Sequence, residues 1–321
     1  MFVTLNTKKP VLMPSKTTLL VDGNNTLHRT YWVANNTGNR LINSRGRDIG
    51  CLFTFLKTIK SYAEKFNTDQ IYIAWDKKLE GYYGFNNFRK EMTGGAYKAT
   101  RNVEKNQDIY GGMEEIVNAT KLLGVKHIFP GKLEADDVIS WLSSNLDGHK
   151  IIVSVDKDFI QLISPTVSLY NPIKKELMES TNIQKLLEMT PLEYLYYKAI
   201  VGDVSDNIDG LEGFGKVKGA KLAKAFVAKD EKAIAPYQER VEYNIKLVDL
   251  TQGFVQYPEE SELYKTQHDS SCNLMADFDK FKHLCETLEF PSILDNFDKW
   301  KSTFNKQQTT NILTEYFKMF E

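Results

Sequence analysis

Short apolar runs that stop at an aspartate recur through the first half of the chain. Runs of about four to eight apolar residues bounded by turn residues are typical of buried β-strands. Three such runs, each with its aspartate, are residues 17–21 with Asp22, 71–75 with Asp76, and 150–155 with Asp156. Gly-Asn-Asn follows Asp22, and we predict a turn there. Shorter strands are predicted at residues 126–129, 167–170 and 176–178, the last two near the sheet edge.

Apolar residues at helical spacing lie between these runs. Residues 48–66 carry them from Ile49 to Phe66, with Asp48 suited to cap the helix start. Residues 113–123 form a second amphipathic segment. The strand–helix–strand order predicts an α/β fold with a central, mostly parallel sheet flanked by helices. In such sheets ligands bind outside the carboxyl ends of the strands, which is where the aspartates lie.

Acidic residues are concentrated at a few places in the chain. Glu134 opens a predicted helix that runs to about Leu146, and acids in a first helical turn have an ordinary explanation, because the helix dipole stabilises them. Across the chain, however, nine carboxylates occupy five places, most of them where a predicted strand or helix ends. They are Asp22, Asp76, Glu134 with Asp136 and Asp137, Asp156 with Asp158, and Asp203 with Asp206. Their mutual repulsion would be strong without divalent cations. We therefore predict a magnesium or manganese site.

Residues 77–105 interrupt the pattern with a basic, aromatic segment. Lysines and arginines alternate there with tyrosines and phenylalanines, and four glycines argue against a single long helix. One interpretation is a solvated surface loop with its own small apolar patch. The other is a mobile basic lid, in which cations contact phosphates and aromatic rings stack on bases. The position directly after Asp76 favours the lid.

Helical patterns replace strands from about residue 190 onward. Pro191 suits the first turn of a helix over residues 192–201, and one further helical turn would put Asp203 and Asp206 on one face. A glycine-rich hairpin follows, and its second helix is predicted to start near Lys216. Lysines without an intervening acid occupy positions 216, 218, 221, 224 and 229. Because glycines let a backbone approach a phosphate, we predict that this hairpin binds a nucleic-acid duplex.

The remaining chain is predicted to consist of packing helices. They cover residues 240–250, 278–288, 293–304 and 312–320, with a loop at 253–260. Leu313, Tyr316 and Phe317 have two interpretations, a short anchor for a replication partner or part of a helix docked on the protein's own core. The second interpretation is favoured.

Composition narrows the class of protein. The 321 residues are 42% apolar and 26% charged, which is typical of a globular protein, and the net charge of −1 identifies no partner. No run approaches the length of a membrane span, and the N-terminus lacks a signal-peptide pattern. Cys51, Cys272 and Cys285 lie far apart without a CxxC pair. We therefore expect a reducing compartment and no zinc site.

Taken together, several motifs resemble those of the flap-endonuclease family of 5′-nucleases. The similarity is closest to phage 5′→3′ exonucleases, including the phage ribonuclease H type, and extends to the 5′-nuclease domain of bacterial DNA polymerase I. The matching motifs are VDGNN (21–25), AWD (74–76), YKATR (97–101), LEADD (133–137), SVDKD (154–158) and VGDVSDNIDGLEGFGKVKGA (201–220). Each is weak alone, but together they follow the family order over roughly residues 17–250. Residues after about 255 match much less clearly.

The resemblance implies a role for each matching residue. The first metal would be surrounded by Asp22, Asp76, Glu134, Asp136 and Asp137, and the second by Asp156, Asp158, Asp203 and Asp206. At the base of a helical arch (77–110), the residues that approach the scissile phosphate would be Tyr97, Lys98 and Arg101, with Arg89 as a second arch cation. Duplex DNA would be gripped by a helix-hairpin-helix (about 192–228) through Gly213, Gly215, Lys216, Lys218 and Lys221. A potassium ion is often held by the carbonyls of such a hairpin.

The resemblance also implies an organisation and an activity. Residues 1–188 would form a metal-dependent nuclease core with the arch, and residues 189–321 a helical DNA-binding region. The expected reaction is two-metal hydrolysis of phosphodiester bonds at 5′ ends and flaps of DNA, or of RNA primers on DNA, in replication. Two Mg²⁺ ions would serve it, with Mn²⁺ as a substitute. Expected partners are branched or nicked DNA, RNA/DNA hybrid, and a single-strand DNA-binding protein or sliding clamp. We expect a monomer in the cytoplasm, that of the host if the protein is phage-encoded.

Two other functions compete with this prediction. A metal-dependent ribonuclease of related fold, such as a toxin-type enzyme, would share the carboxylates, but the basic arch and the hairpin lysines argue against it. A DNA-structure-binding protein with an inactive site would share the basic surfaces, but the complete carboxylate set argues against that. Cleavage of a labelled flap substrate near its junction, on addition of magnesium, distinguishes the three.

Overall fold

A six-stranded sheet forms the centre of the protein. The computed structural model describes residues 16–36, 40–78, 80–82, 87–100 and 107–306. The strands of the sheet are β1 (Thr17–Asp22), β2 (Ile71–Ala74), β3 (Lys126–Ile128), β4 (His149–Val153), β5 (Val167–Asn171) and β6 (Glu176–Met178). They lie in the order β3-β2-β1-β4-β5-β6, and all neighbours are parallel except β5 and β6. The predicted mostly parallel sheet is confirmed.

The register of the sheet sets the position of the acidic residues. Val21 of β1 pairs with Ile73 of β2 on one side and with Val153 of β4 on the other. Because the three strands are short, parallel and level with one another, their carboxyl ends meet at one edge. The aspartates that end or follow these strands are therefore brought to the same place.

Helices cover both faces of the sheet. They are α1 (Gly23–Asn36), α2 (Gly50–Lys65), α3 (Phe88–Met92), α4 (Gln107–Tyr110), α5 (Met113–Lys121), α6 (Ala135–Asn145), α7 (Ile183–Leu187), α8 (Pro191–Val201), α9 (Lys216–Val227), α10 (Glu231–Ile234), α11 (Gln238–Val248), α12 (Gln252–Gln256), α13 (Glu259–Ser271), α14 (Phe278–Leu288), α15 (Pro291–Leu294) and α16 (Phe297–Phe304). Successive strand residues point to opposite faces. Leu19 and Val21 accordingly join a core with α2, α5, α14 and α16, whereas Leu20 joins a second core with α6 and α13.

The helical region is built around a hairpin of two helices, α8 and α9. A short antiparallel ladder, β7 (Gly202–Asp203) and β8 (Ile208–Asp209), lies between them. Helix α11 packs behind this ladder, and its buried Asn244 donates to the backbone carbonyls of Ala199 and Asp209 at 2.7 and 2.9 Å. The hairpin is therefore held by α11 through the backbone of α8 and β8.

The turn predicted after β1 is wrong, because α1 begins there without a connection. Asp22 caps the helix by accepting from the backbone amide of Asn25 at 2.9 Å. A Cβ atom on Gly23 would lie only 2.7 Å from the carbonyl oxygen of Ala74 and from the Trp75 ring. The first turn of α1 thus packs against β2 at a distance that glycine permits.

The loop predicted at residues 253–260 is also wrong. That stretch contains α12 and the start of α13, and Pro258 separates the two helices. No apolar pattern predicts α13, because among its residues only Glu260 and Tyr264 are buried. The predicted helix 293–304 divides into α15 and α16, and residues 312–320 lie outside the described part of the chain. Among the described residues, no helix has the length and apolar character needed to cross a membrane.

Glu260 ties α13 to the segment that leads into α6. Its buried carboxylate accepts from the backbone amides of Gly131 at 3.0 Å and Lys132 at 2.7 Å, and from the hydroxyl of Tyr264 at 2.7 Å. A side chain at Gly131 would collide with this carboxylate. The C-terminal helices therefore support the backbone just before Glu134.

Replacing Glu260 with alanine should destabilise the protein by about 2–4 kcal/mol, because two buried amides lose their acceptor. Glu260→Gln should cost less, since its amide oxygen still accepts. The matched control is Glu259→Ala, which removes only an exposed ion pair with Lys132 and should change stability by less than about 1 kcal/mol. Urea unfolding measures all three, and equal losses for Glu259→Ala and Glu260→Ala would contradict the assignment.

Candidate metal centre

The strand ends and the start of α6 bring together the first group of carboxylates. Asp22, at the end of β1, accepts from the hydroxyl of Ser154 at 2.8 Å. Asp76, just after β2, accepts from the backbone amide of Ala135 at 2.9 Å. This second bond joins the end of a central strand to the first turn of α6, so that Asp136 faces the same edge of the sheet.

Burial and repulsion both act on this group. Burial raises the pKa of Asp22 to about 7, despite the hydrogen bonds that it accepts, and the nearby charges of Asp76 and Asp156 add to the increase. Burial likewise raises the pKa of Asp136 well above its usual range, and Asp156 is its strongest acidic neighbour. These carboxylates resist simultaneous ionisation at neutral pH, which is the behaviour expected of a site that a cation completes.

A second group of carboxylates lies beside the first. One oxygen from each of Asp158, Asp203 and Asp206 lies within 4.8 Å of the others. Asp158 opens a short 3₁₀ turn, and Asp203 caps a second one that ends at Asp206, so the single turn between Asp203 and Asp206 is of the 3₁₀ type. Asp156, predicted in this group, interacts with Asp158 and also with Asp22, so it lies between the two groups.

Lys198 of α8 reaches into the second group. Its ammonium lies 2.8 Å from Asp158 Oδ1 and donates to Asp203 Oδ2. Burial raises the pKa of Asp158 to about 6, and Lys198 offsets part of that increase. Burial opposes ionisation of Asp203 too, but the hydrogen bonds from Lys198 and Ser205 outweigh it and lower its pKa.

Lys98 connects the two groups. Its ammonium donates to both oxygens of Glu134, at 2.9 and 3.0 Å, and lies 3.9 Å from Asp206 Oδ2. Its backbone amide donates to the carbonyl of Asp206 at 3.1 Å. Burial alone would raise the pKa of Glu134, but the charges of Lys98 and Arg89 outweigh it and hold this pKa at about 2.

Tyr97 occupies a different position from the predicted one. Its ring is 3% exposed, and its hydroxyl donates to Glu134 Oε2 at 3.0 Å. In this structure the hydroxyl of Tyr97 orients a carboxylate. Arg101, the third residue predicted at the base of the arch, lies outside the described residues.

Arg89 does not fit the predicted contact with DNA. The residue is 1% exposed, and its guanidinium makes two hydrogen bonds to Asp137, at 2.8 and 2.9 Å. It also lies 3.5 Å from Glu134 and donates to the carbonyl of Leu247 at 2.9 Å. Asp137 is fully buried and bound by this arginine, so it does not fit a metal ligand here. The sequence could not separate the two aspartates of Asp136-Asp137, because consecutive helical residues face different directions.

The residues predicted to bind DNA at the hairpin are exposed. They are Gly213, Gly215, Lys216, Lys218 and Lys221. Gly213 has a φ of +76°, which glycine adopts without strain, and Gly215 directly precedes α9. The hairpin therefore presents a basic helix start and an accessible backbone.

Sequence reasoning missed the roles of Lys198, Ser154 and Glu260. Lys198 had a recognisable signal, since it is the single charged residue near the end of the apolar, aromatic helix α8, five positions before Asp203. Such a lysine is buried unless it points out of the helix, and a buried lysine needs an acidic partner. Ser154 and Glu260 had no comparable signal, because the contacts that define their roles, with Asp22 and with the backbone amides of Gly131 and Lys132, are distant in sequence.

The donor set fits hard divalent cations. The residues are carboxylates, whose oxygens Mg²⁺ and Mn²⁺ prefer, and the second group has three of them at mutually compatible distances. Asp22, Asp136 and Asp156 repel one another in the absence of a cation. The fold and the site together define an α/β protein with carboxylates clustered at the carboxyl ends of its parallel strands.

Comparison with known proteins identifies the family. Residues 17–189 match the family model described as the 5′–3′ exonuclease, N-terminal resolvase-like domain. A 5′–3′ exonuclease of Buchnera aphidicola is 30% identical over 223 residues, 68% of this chain and 71% of that protein. A thermostable DNA polymerase I of Thermus caldophilus is 26% identical over 296 residues, 90% of this chain but only 34% of the polymerase. The chain belongs to the 5′–3′ exonuclease family.

Solved structures have the same fold. A flap endonuclease of bacteriophage T5, in a pseudo-enzyme–product complex with DNA and metal ions, aligns with a TM-score of 0.61 and 20% identity, covering 80% of this chain and 99% of that one. The T5 5′-exonuclease with bound zinc aligns with a TM-score of 0.59, 20% identity and coverage of 81% and 99%. At this level of identity the comparison establishes the architecture alone.

Arg89→Leu should destabilise the protein by about 3–5 kcal/mol, because it leaves Asp137 buried and unpaired. Adding Asp137→Leu should recover most of the loss, since no unpaired charge then remains. Lys90→Leu, at the exposed neighbouring position on α3, is the control for the loss of one charge. Urea unfolding and duplex binding are measured together. Normal stability with weakened DNA binding in Arg89→Leu would restore the predicted DNA contact.

Proposed function

We propose that this protein is a structure-specific 5′-nuclease that hydrolyses phosphodiester bonds at 5′ ends and flaps of DNA, or of RNA primers on DNA. The observation that carries the proposal is the arrangement of two carboxylate groups at the ends of parallel strands, joined by Lys98, in a chain of the 5′–3′ exonuclease family. Mg²⁺ is the proposed cofactor, as two ions, and Mn²⁺ the proposed substitute.

The carboxylates divide between two proposed metal positions. Those facing the first position are Asp22, Asp76, Glu134 and Asp136, and those facing the second are Asp158, Asp203 and Asp206, with Asp156 between them. These carboxylates would hold two divalent ions, which would supply an activated water and positive charge beside the phosphate and the leaving oxygen. Asp137 is left out of this set, because Arg89 binds both of its oxygens.

Lys98 is the proposed cationic group of the reaction. Its ammonium lies between Glu134 and Asp206, at the junction of the two carboxylate groups. A substrate phosphate at this junction would meet that charge directly, and a fixed positive charge stabilises the developing negative charge of the phosphate. The hydroxyl of Tyr97 holds Glu134 in place through a hydrogen bond. Arg101 is proposed as a further phosphate contact.

The hairpin of α8 and α9 is the proposed duplex grip. Its exposed lysines and glycines would contact phosphates behind the cutting site, and a potassium ion on the hairpin carbonyls is part of the proposal. We propose the division into a nuclease core (1–188) and a DNA-binding region (189–321) on the same grounds. Branched DNA, nicked DNA and RNA/DNA hybrid are the proposed substrates. We further propose a role in replication, with a single-strand DNA-binding protein or a sliding clamp as partner. The proposed state is a monomer in the cytoplasm.

Asp156→Asn should abolish cleavage of a flap substrate in Mg²⁺ while flap binding persists, because a central carboxylate is lost and the basic surfaces are unchanged. Asp147→Asn, an exposed acid beyond the end of α6, is the matched control and should cut normally. Single-turnover cleavage and binding in Ca²⁺ are measured on the same 5′-labelled flap. Near wild-type cutting by Asp156→Asn would remove the residue from the site. A wild-type protein that binds the flap but never cuts it would support the inactive DNA-binding alternative.

The double variant Lys216→Ala, Lys218→Ala should weaken binding of duplex and flap alike and flatten its salt dependence. Each lost phosphate contact should lower the slope of log affinity against log salt by about 0.9, because fewer counterions are released. Cutting at saturating enzyme should survive. The control is Lys280→Ala with Lys282→Ala, a pair of exposed lysines on α14. If the hairpin variant kept its affinity and slope but stopped cutting at saturation, the hairpin would belong to the catalytic apparatus.

A further inference from the structure

Lys198 occupies the second carboxylate group in the manner of a bound cation. Its ammonium is 2.8 Å from Asp158 and hydrogen-bonded to Asp203, two of the three residues whose oxygens lie within 4.8 Å of one another. The side chain is only 15% exposed. The lysine therefore binds two of the three carboxylates that a divalent ion at this position would use.

The two carboxylate groups differ in how they hold an internal cation. In the first, Lys98 and Arg89 both lie against Glu134, while Asp22 accepts hydrogen bonds from Ser154 and from a backbone amide. In the second, one ammonium spans two of the three carboxylates. A divalent ion at the first position could therefore bind Asp22 without replacing an ammonium, whereas an ion that binds Asp158 and Asp203 would compete with a charged hydrogen-bond donor.

We propose that Lys198 is a built-in counter-cation that competes with the second divalent ion for Asp158 and Asp203. This inference rests on the proposed two-metal function and deepens it. The ammonium is covalently attached, so it is always present at the site. A metal ion can bind only while the lysine is away from the oxygens, so the apparent metal affinity falls in proportion to that free fraction of time. The long, flexible lysine side chain can leave without any movement of α8.

In the absence of metal, Lys198 stabilises the folded protein. Asp158 and Asp203 repel each other, and the lysine keeps the pair compatible with folding until an ion arrives. The second ion should then bind more weakly than the first. The ion and the lysine exclude each other at these oxygens. The free energy by which the ammonium weakens metal binding is therefore regained when the ammonium is removed.

Metal binding to the DNA-free, full-length protein tests the proposal. Mn²⁺ is titrated by calorimetry into wild type, Lys198→Met and Lys198→Arg, and Asp203→Asn identifies which step belongs to the second group. Lys198→Met keeps the length and apolar stem of the side chain and removes the charge. It should tighten the weaker step by about tenfold or more, because a charge-assisted competitor is lost. Lys198→Arg keeps the charge and should stay within a few-fold of wild type.

Thermal unfolding provides a second measurement. Without metal, Lys198→Met should melt below wild type, since Asp158 and Asp203 are left facing each other. With saturating Mn²⁺ its melting temperature should rise by more than that of wild type, because ion binding now supplies the missing positive charge. Lys282→Met, on the exposed face of α14, controls for the loss of one positive charge from the whole protein.

The outcomes separate this inference from the proposed function. Two binding steps in wild type, with the weaker step unchanged or weakened in Lys198→Met, would overturn the competition and leave the two-metal site intact; Lys198 would then be a positioning residue for the ligands. A gain in Lys282→Met equal to that in Lys198→Met would reduce the effect to net charge and also overturn it. No Mn²⁺ binding in wild type or in Lys198→Met would overturn both the inference and the two-metal function.

Discussion

Repulsion among carboxylates at the ends of parallel strands is the constraint on which this structure depends. The sheet brings these side chains together because the carboxyl ends of β1, β2 and β4 are level, and burial makes their charges costly. Basic side chains of the protein itself offset part of this repulsion. Arg89 binds Asp137, Lys98 binds Glu134, and Lys198 spans the second group. Asp22 and Asp136, which none of these three cations binds, have pKa values raised by burial and by their acidic neighbours.

These cations differ in how permanently they are placed. Arg89 is fully enclosed, with both ends of its guanidinium on Asp137 and a further bond to a backbone carbonyl, so it joins α3, α6 and α11 as part of the framework. The side chains of Lys98 and Lys198 are each 15% exposed and lie beside the two carboxylate groups. A flexible ammonium at a partly open position can exchange partners with a phosphate or a metal ion, whereas the buried guanidinium cannot.

The C-terminal helices contribute to the site without touching it. Glu260 of α13 fixes the amides of Gly131 and Lys132, and α6 begins a few residues later with the acidic group. Asn244 of α11 similarly fixes the backbone at the end of the β7–β8 ladder where Gly202 pairs with Asp209, next to Asp203. The two carboxylate groups are therefore positioned from the helical side of the molecule as well as from the sheet. This explains why a region with little resemblance to the family motifs is still well packed.

The sequence by itself determined the sheet, most of its helices, the position of the acidic edge and the exposed glycine-rich hairpin, because each rests on a local period or on residues adjacent in the chain. It also led to the family, which the comparisons confirm. Only the tertiary structure decided which charges are paired. Asp136 and Asp137 are neighbours in sequence, yet one faces the acidic cleft and the other is enclosed by Arg89, a residue 48 positions away. Helix α13 escaped prediction because its anchor, Glu260, is a buried acid that accepts from backbone amides more than a hundred residues earlier. Such pairings follow from three-dimensional proximity in a medium of low polarity, where an ion pair is decided by which partner is closest and not by any spacing along the chain.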